Sequence, residues 1–159
     1  MGHLKNPKFS IVERLHINKD TGNHDHHYNY HPKTSDELKE LVDQLIKERG
    51  NDADLNDIDT SEITDMNYMF YTSKFNGDIS NWDVSNVRDM TCMFEKSKFN
   101  GNISNWDVSN VINMERMFQY SEFNGNISKW DVSNVKNMSD IFYDSPLEKN
   151  PPKWYKYYK

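Results

Sequence analysis

Histidine is the residue whose distribution first suggests chemistry: five of the six histidines lie between His16 and His31. On a strand, His24 and His26 share one face, roughly 6–7 Å apart at Cα, with Asp25 pointing away. Imidazoles at that spacing can bind Zn²⁺, Ni²⁺ or Cu²⁺, which makes His24 and His26 a candidate metal pair. His27 and His31 are the further candidates, and a polar, half-exposed strand that is merely His-rich explains the same residues. A second constellation is acidic. Asp59, Asp83, Asp107 and Asp131 recur with Ser61, Ser85, Ser109 and Ser133 two places on. Stacked as strand residues, neighbouring carboxylates sit about 4.8 Å apart. Their repulsion is about 1 kcal/mol per pair in water and several-fold more if desolvated, so each needs solvent or donors. The carboxylates either accept backbone N–H groups at the start of a helix or form an acidic strip for a cationic partner. Asp52-x-Asp54-x-Asn56 begins like a calcium loop, but Asp57 stands where Gly is needed and Ile63 where Glu is needed. Cys92 varies to Tyr68, Arg116 and Asp140 at matching places, which suggests an exposed helix position. No nucleophile elbow, phosphate loop or Ser/His/Asp arrangement is present, so the expectation is a chain that is not an enzyme and holds no cofactor.

The elements that position these residues are repeats. Trp82, Trp106, Trp130 and Trp154 are spaced by 24, as are Phe70, Phe94, Phe118 and Phe142. Phe75, Phe99 and Phe123 keep the same step, and so do Met66, Met90, Met114 and Met138. Residues 75–98 and 99–122 agree at 16 of 24 positions. Residues 123–146 repeat the pattern, 51–74 are a degenerate first copy, and 147–154 are a truncated last one. Within a copy, Asn81-Trp82-Asp83-Val84-Ser85 alternates like a strand. Val87, Met90, Met93 and Phe94 then recur at helical steps, with Ser85 or Asn86 able to cap them. The expected fold is α/β: a short leucine-rich-repeat-like solenoid, with parallel strands centred near residues 83, 107 and 131 and a short helix per copy. Asn76-Gly77, Asn100-Gly101 and Asn124-Gly125 read as tight turns with positive φ, their amides bonding from coil to coil.

The unit Ile79-x-x-Trp82-x-Val84-x-x-Val87-x-x-Met90-x-x-x-Phe94-x-x-Ser97-x-Phe99 resembles the leucine-rich repeat of BspA-like bacterial surface proteins. The resemblance covers roughly residues 51–154. It implies an arc with its strands on the concave side, and a non-enzymatic adhesion or interaction role at the cell surface. Asn81, Asp83, Asn105, Asp107, Lys129 and Asp131 then form the candidate partner-binding face. Arg88, Ile112, Lys136, Arg116 and Tyr120 are the variable candidates on the convex side.

The flanks read as closures. Thr34-x-x-Glu37 is a capping box, Leu38, Leu41, Val42, Leu45 and Ile46 share one face, and Gly50 ends the helix. Residues 34–50 are thus a capping helix over the weak first copy. Residues 1–33 read as a His-rich β-ribbon, with Ile11, Glu13, Leu15 and Ile17 alternating. Residues 155–159 form a basic, aromatic tail.

Composition bounds the function. Leu, Ile, Val and Phe make up 33 of 159 residues, and the formal net charge is −6. That apolar share lies near the level at which a chain fails to build a core, so regular placement must supply one. The acidic balance disfavours nucleic acid as partner, and no apolar run is long enough to span a membrane. No signal peptide is visible, so the expectation is a cytoplasmic chain, with the cell surface implied by the resemblance if a leader has been lost. The leading expectation is a mostly monomeric protein-interaction module with a protein partner. A small acidic inhibitor of a nucleic-acid-binding protein, of phage or mobile-element type, is the alternative. Metal binding through the His-rich segment is the third.

Overall fold

A computed structural model describes Ile11 and residues 28–158. Helix α1 spans Ser35–Arg49, and α2 is a single turn at Pro146–Lys149. A 3₁₀ segment follows at Lys153–Tyr158. Thr34 starts α1 by accepting the Glu37 amide at 3.1 Å. Gly50 ends it with φ +97°, its amide bonded to the Ile46 carbonyl. Leu38, Leu41, Val42 and Leu45 are fully buried against the first coil, each worth about 1.5–3 kcal/mol of apolar burial.

The α/β solenoid with parallel strands is not what forms. The described residues contain no strand, only five isolated parallel bridges, four of them between coils. Three of these join Asp65, Asp89, Asn113 and Asn137 in sequence, not residues near 83, 107 and 131. The helix expected over Val87–Phe94 is absent too. Amides there bond three residues back: Met93 to Met90, Glu95 to Cys92, Ser97 to Phe94. These are consecutive β-turns. The alternate amides leave the coil. Met90, Cys92, Phe94 and Lys96 donate to Asn113, Glu115, Met117 and Gln119 of the next copy at 2.9 Å. An α-helix spends every interior amide on its own chain, so it cannot make that ladder. Apolar steps of three and four residues suit a run of turns as well as a helix, which is why periodicity pointed to the wrong element.

The turns carry a backbone signature. Tyr68, Cys92, Arg116 and Asp140 have φ of 54–60°, and Thr72, Lys96, Tyr120 and Asp144 have φ of 50–58°. Each is the third residue of a turn, where type II geometry requires positive φ. None is glycine, and each side chain makes the left-handed region costly by about 1–2 kcal/mol. Thr72 is β-branched, the worst case. Thr72→Gly is therefore expected to raise stability by about 0.5–1 kcal/mol. Thr91→Gly should lower it by about 1–2 kcal/mol, because Thr91 has no positive φ and its hydroxyl bonds Asp89 at 2.6 Å. Urea midpoints moving the same way in both variants would refute this account of the turns.

Stacking builds the core. Phe70, Phe94 and Phe118 lie with centroids 5.5 Å apart and near-parallel planes, and Phe142 follows at 6.0 Å. Phe75, Phe99 and Phe123 form a second file at 6.1 and 6.2 Å. Trp82, Trp106, Trp130 and Trp154 each donate the indole N–H to a carbonyl 27 residues earlier, from Leu55 to Ile127, at 2.8–3.1 Å. Trp154 thus keeps the repeat register in the truncated last copy. The Asn ladder also forms, Asn100 and Asn124 amides donating to the Asn76 and Asn100 side chains. Its glycines do not take positive φ; among described glycines only Gly50 does.

Candidate functional site

Each coil is cornered by Asx turns, which decide what its carboxylates do. Asp83 and Asp107 accept the backbone amide of the serine two residues on at 3.0 Å and its hydroxyl at 2.6 Å. Asp131 accepts the Ser133 amide at 3.0 Å, and Asp59 accepts the Ser61 amide. The Ser109 and Ser133 bonds hold the Asp107 and Asp131 carboxyls below the usual carboxylate value. The donors are local, as one reading of the ladder required, but they belong to a turn and not to a helix N-terminus. Asn81, Asp83, Asn105, Asp107, Lys129 and Asp131 are all exposed. The coils bring them into register along one edge without enclosing them in a cavity. The shallow polar cleft on a neighbouring edge is lined by Lys33, Glu62, Asn86, Arg88 and Asn110 instead.

Two further Asx rows went unforeseen: Asp54, Asp78, Asn102 and Asn126, and Asp65, Asp89, Asn113 and Asn137. Their signal was legible as Asp or Asn recurring at step 24 in two more columns.

Cys92 is not exposed on a helix. It is buried at a positive-φ turn position, and burial first, then Glu95, pushes its thiol up to about 11. A thiol this basic stays protonated and is a poor nucleophile. His24, His26 and His27 lie outside the described residues, as does the proposed ribbon apart from Ile11, which is helical and buried rather than half-buried strand, and residues 28–31. Tyr30 bridges to Ile58, and His31 Nδ1 sits 2.8 Å from Asp59 Oδ2. No group of three potential metal ligands occurs among the described residues. Nor is any described helix long and apolar enough to cross a membrane.

A bidentate ion pair fastens α1 to the first coil. Arg49 bonds both oxygens of Asp57 at 2.9 Å and the Asp54 carbonyl at 3.0 Å. Asn29 adds a bond to Asp57, and the guanidinium lies 5.9 Å from the Tyr30 ring centroid. Burial pushes the Asp57 carboxyl up, but Arg49 and Asn29 outweigh it and hold the carboxyl below its ordinary value. This is a clasp between chain segments, consistent with a cap.

The exposed aromatic residues collect on the turn face. Tyr68 and Tyr71 meet edge to face at 5.4 Å, and Tyr120 and Tyr143 at 5.6 Å. All four are between 38 and 48 % exposed. The Lys96 ammonium lies 6.0 Å from the Tyr71 ring centre, and Arg116 is exposed in the same coil as Tyr120. Arg116 and Tyr120 were expected among variable positions; Tyr68, Tyr71, Lys96 and Tyr143 were missed. The pointer was variation between copies: the column 71, 95, 119, 143 reads Tyr, Glu, Gln, Tyr, while the column of Asp83 does not vary.

Fold and face together define a class: a 24-residue-repeat protein of stacked turns, with uniform edges and one variable, aromatic face. The chain belongs to the family described as Mycoplasma protein of unknown function, DUF285, whose model matches residues 37–154. That span takes in nearly all of α1, the four full coils and the truncated last copy. No curated protein and no solved structure matches the chain.

Proposed function

We propose that the chain is a non-enzymatic protein-interaction module that meets its partner through the turn face. The carrying observation is the two exposed tyrosine couples, with Lys96 in the coil between them and Arg116 exposed beside Tyr120 in its coil. Tyrosine and arginine dominate binding hot spots because they offer large, stiff, amphipathic contact area. The family's association with BspA-like surface repeat proteins supports an interaction role of the adhesion kind. The acidic row is the weaker contact, since its carboxylates already hold hydroxyl and amide donors.

Once a partner has been captured and purified, binding to the full chain should weaken at least about tenfold in Tyr71→Ser/Tyr120→Ser. Asp83→Lys/Asp107→Lys should change it less than about threefold, as exposed rim charges do. The reverse ranking, measured by titration calorimetry, would move the contact to the acidic row.

A further inference from the structure

The ladder between coils has a direction, and its two ends are treated differently. At each of the three internal interfaces, four amides of one coil donate to four carbonyls of the next: 66, 68, 70 and 72, then 90, 92, 94 and 96, then 114, 116, 118 and 120. The first coil therefore begins with open acceptors, which α1 meets. The Ser35 hydroxyl donates to the Asp65 carbonyl, and Lys39 Nζ donates to the Met69 carbonyl at 3.0 Å. The last coil ends with open donors. The Asp144 amide takes the Glu148 carboxylate at 3.0 Å. The amides of Met138, Asp140 and Phe142, equivalent to donors bonded in every earlier coil, have no acceptor among the described residues.

Two of these residues are withdrawn from water, Phe142 at 1 % exposure and Met138 at 8 %, while Asp140 is exposed. An unpaired amide withdrawn from water carries an uncompensated desolvation cost, which an acceptor reaching Met138 or Phe142 removes. Leu147 and Trp154 follow the repeat register, and Trp154 and Tyr155 cover the Phe142 ring, but no described group accepts from the amides of Met138, Asp140 or Phe142. A cleft of about 340 Å³ lies there, lined by Lys136, Asn137, Met138, Ser139, Asp140 and Tyr155.

We propose that this edge is a docking site for a polypeptide segment of a partner that adopts the repeat's own turn conformation. The occupant offers carbonyls at three alternate residues to Met138, Asp140 and Phe142, and one apolar side chain of methionine size against Met138. The interface continues one already made three times within the chain, which fixes both its register and its polarity. Because Trp154 and Tyr155 already cover Phe142, the occupant needs no further phenylalanine in the stack.

The probe is a synthetic peptide of residues 111–122, VINMERMFQYSE, which supplies the acceptors Asn113, Glu115 and Met117 to Met90, Cys92 and Phe94 inside the chain. It is added to the full-length protein at about 1 mM, where weak edge binding is measurable, and amide exchange is followed residue by residue. Exchange at Met138, Asp140 and Phe142 should slow at least about tenfold. Met114, Arg116 and Phe118 should not change, and the reversed-sequence peptide should have no effect. No slowing at those three amides, or slowing spread over the tyrosine face, overturns the proposal. Slowing that tracks protein concentration without peptide, together with a doubled mass, also overturns it, by giving the edge to a second copy of the chain.

Discussion

Phe94→Ala is expected to lower the unfolding free energy by about 3–5 kcal/mol, as fully buried phenylalanines do. Phe94 is fully buried at the middle of the column. Its ring touches Phe70 and Phe118 at 5.5 Å, Phe99 at 4.7 Å and Trp106 at 6.2 Å. Each aromatic pair adds about 0.5–1.5 kcal/mol beyond its buried area. Relaxation into the cavity is blocked on both sides, because the backbone above and below is pinned by the Phe70–Met93 and Phe94–Met117 bonds at 2.8 and 2.9 Å. Phe142 provides the comparison. Its outer side meets Trp154 and Tyr155, which are only partly buried and can settle inward, so Phe142→Ala should cost about 1–2 kcal/mol less. Against a total stability of about 5–15 kcal/mol, Phe94→Ala should visibly broaden or abolish cooperative urea unfolding. A loss below about 2 kcal/mol, or a larger loss in Phe142→Ala, would show that the stack is not the main support.

The same residues show what was legible in the sequence. The step of 24 in Trp, Phe and Met marked the core positions and their register, since identical coils must place identical side chains together. Helix α1 was legible because its cap, apolar face and terminating Gly50 are all local signals. The turns were not. Val87, Met90, Met93 and Phe94 satisfy a helical period, and nothing at Cys92 or Lys96 announces a left-handed backbone. Glycine or asparagine there would have done so, but the eight positive-φ positions carry Tyr, Thr, Cys, Lys, Arg and Asp. Their conformation is imposed by inter-coil bonds that exist only once the copies stack, and so it lies outside any window of local sequence. The acidic row was half legible: Asp-x-Ser foretold the Asx bond, while the element it caps was misread. The tyrosine face was only partly legible, because it lies in what varies between copies, whereas the repeat is defined by what recurs.

Gly77→Ala is expected to be the most damaging exchange among the three Asn-Gly pairs, and the reason differs from the one the dipeptide suggests. A Cβ at Gly77 would lie 2.0 Å from the Ala53 carbonyl oxygen and 2.6 Å from the Phe75 ring. At Gly101 the nearest backbone atom is the Gly77 oxygen at 3.0 Å, and at Gly125 only the Phe123 ring comes close. All three glycines leave room for the phenylalanine two residues earlier; Gly77 also leaves room for the first coil. That first coil is the degenerate copy, with Ala53 where the later copies have glycine, and its carbonyl accepts the Asp78 amide at 3.0 Å. A methyl group here must break that bond or push the coils apart. Overpacking costs about 1–3 kcal/mol and the lost bond about 1 kcal/mol more, giving roughly 2–4 kcal/mol for Gly77→Ala. Gly101→Ala should cost less, and Gly125→Ala the least, at about 1–2 kcal/mol. The ranking is the test, because a demand for positive φ would penalise all three alike. Equal urea midpoints for the three variants, or the largest shift at Gly125, would mean that Cβ room against the preceding coil is not what selects glycine.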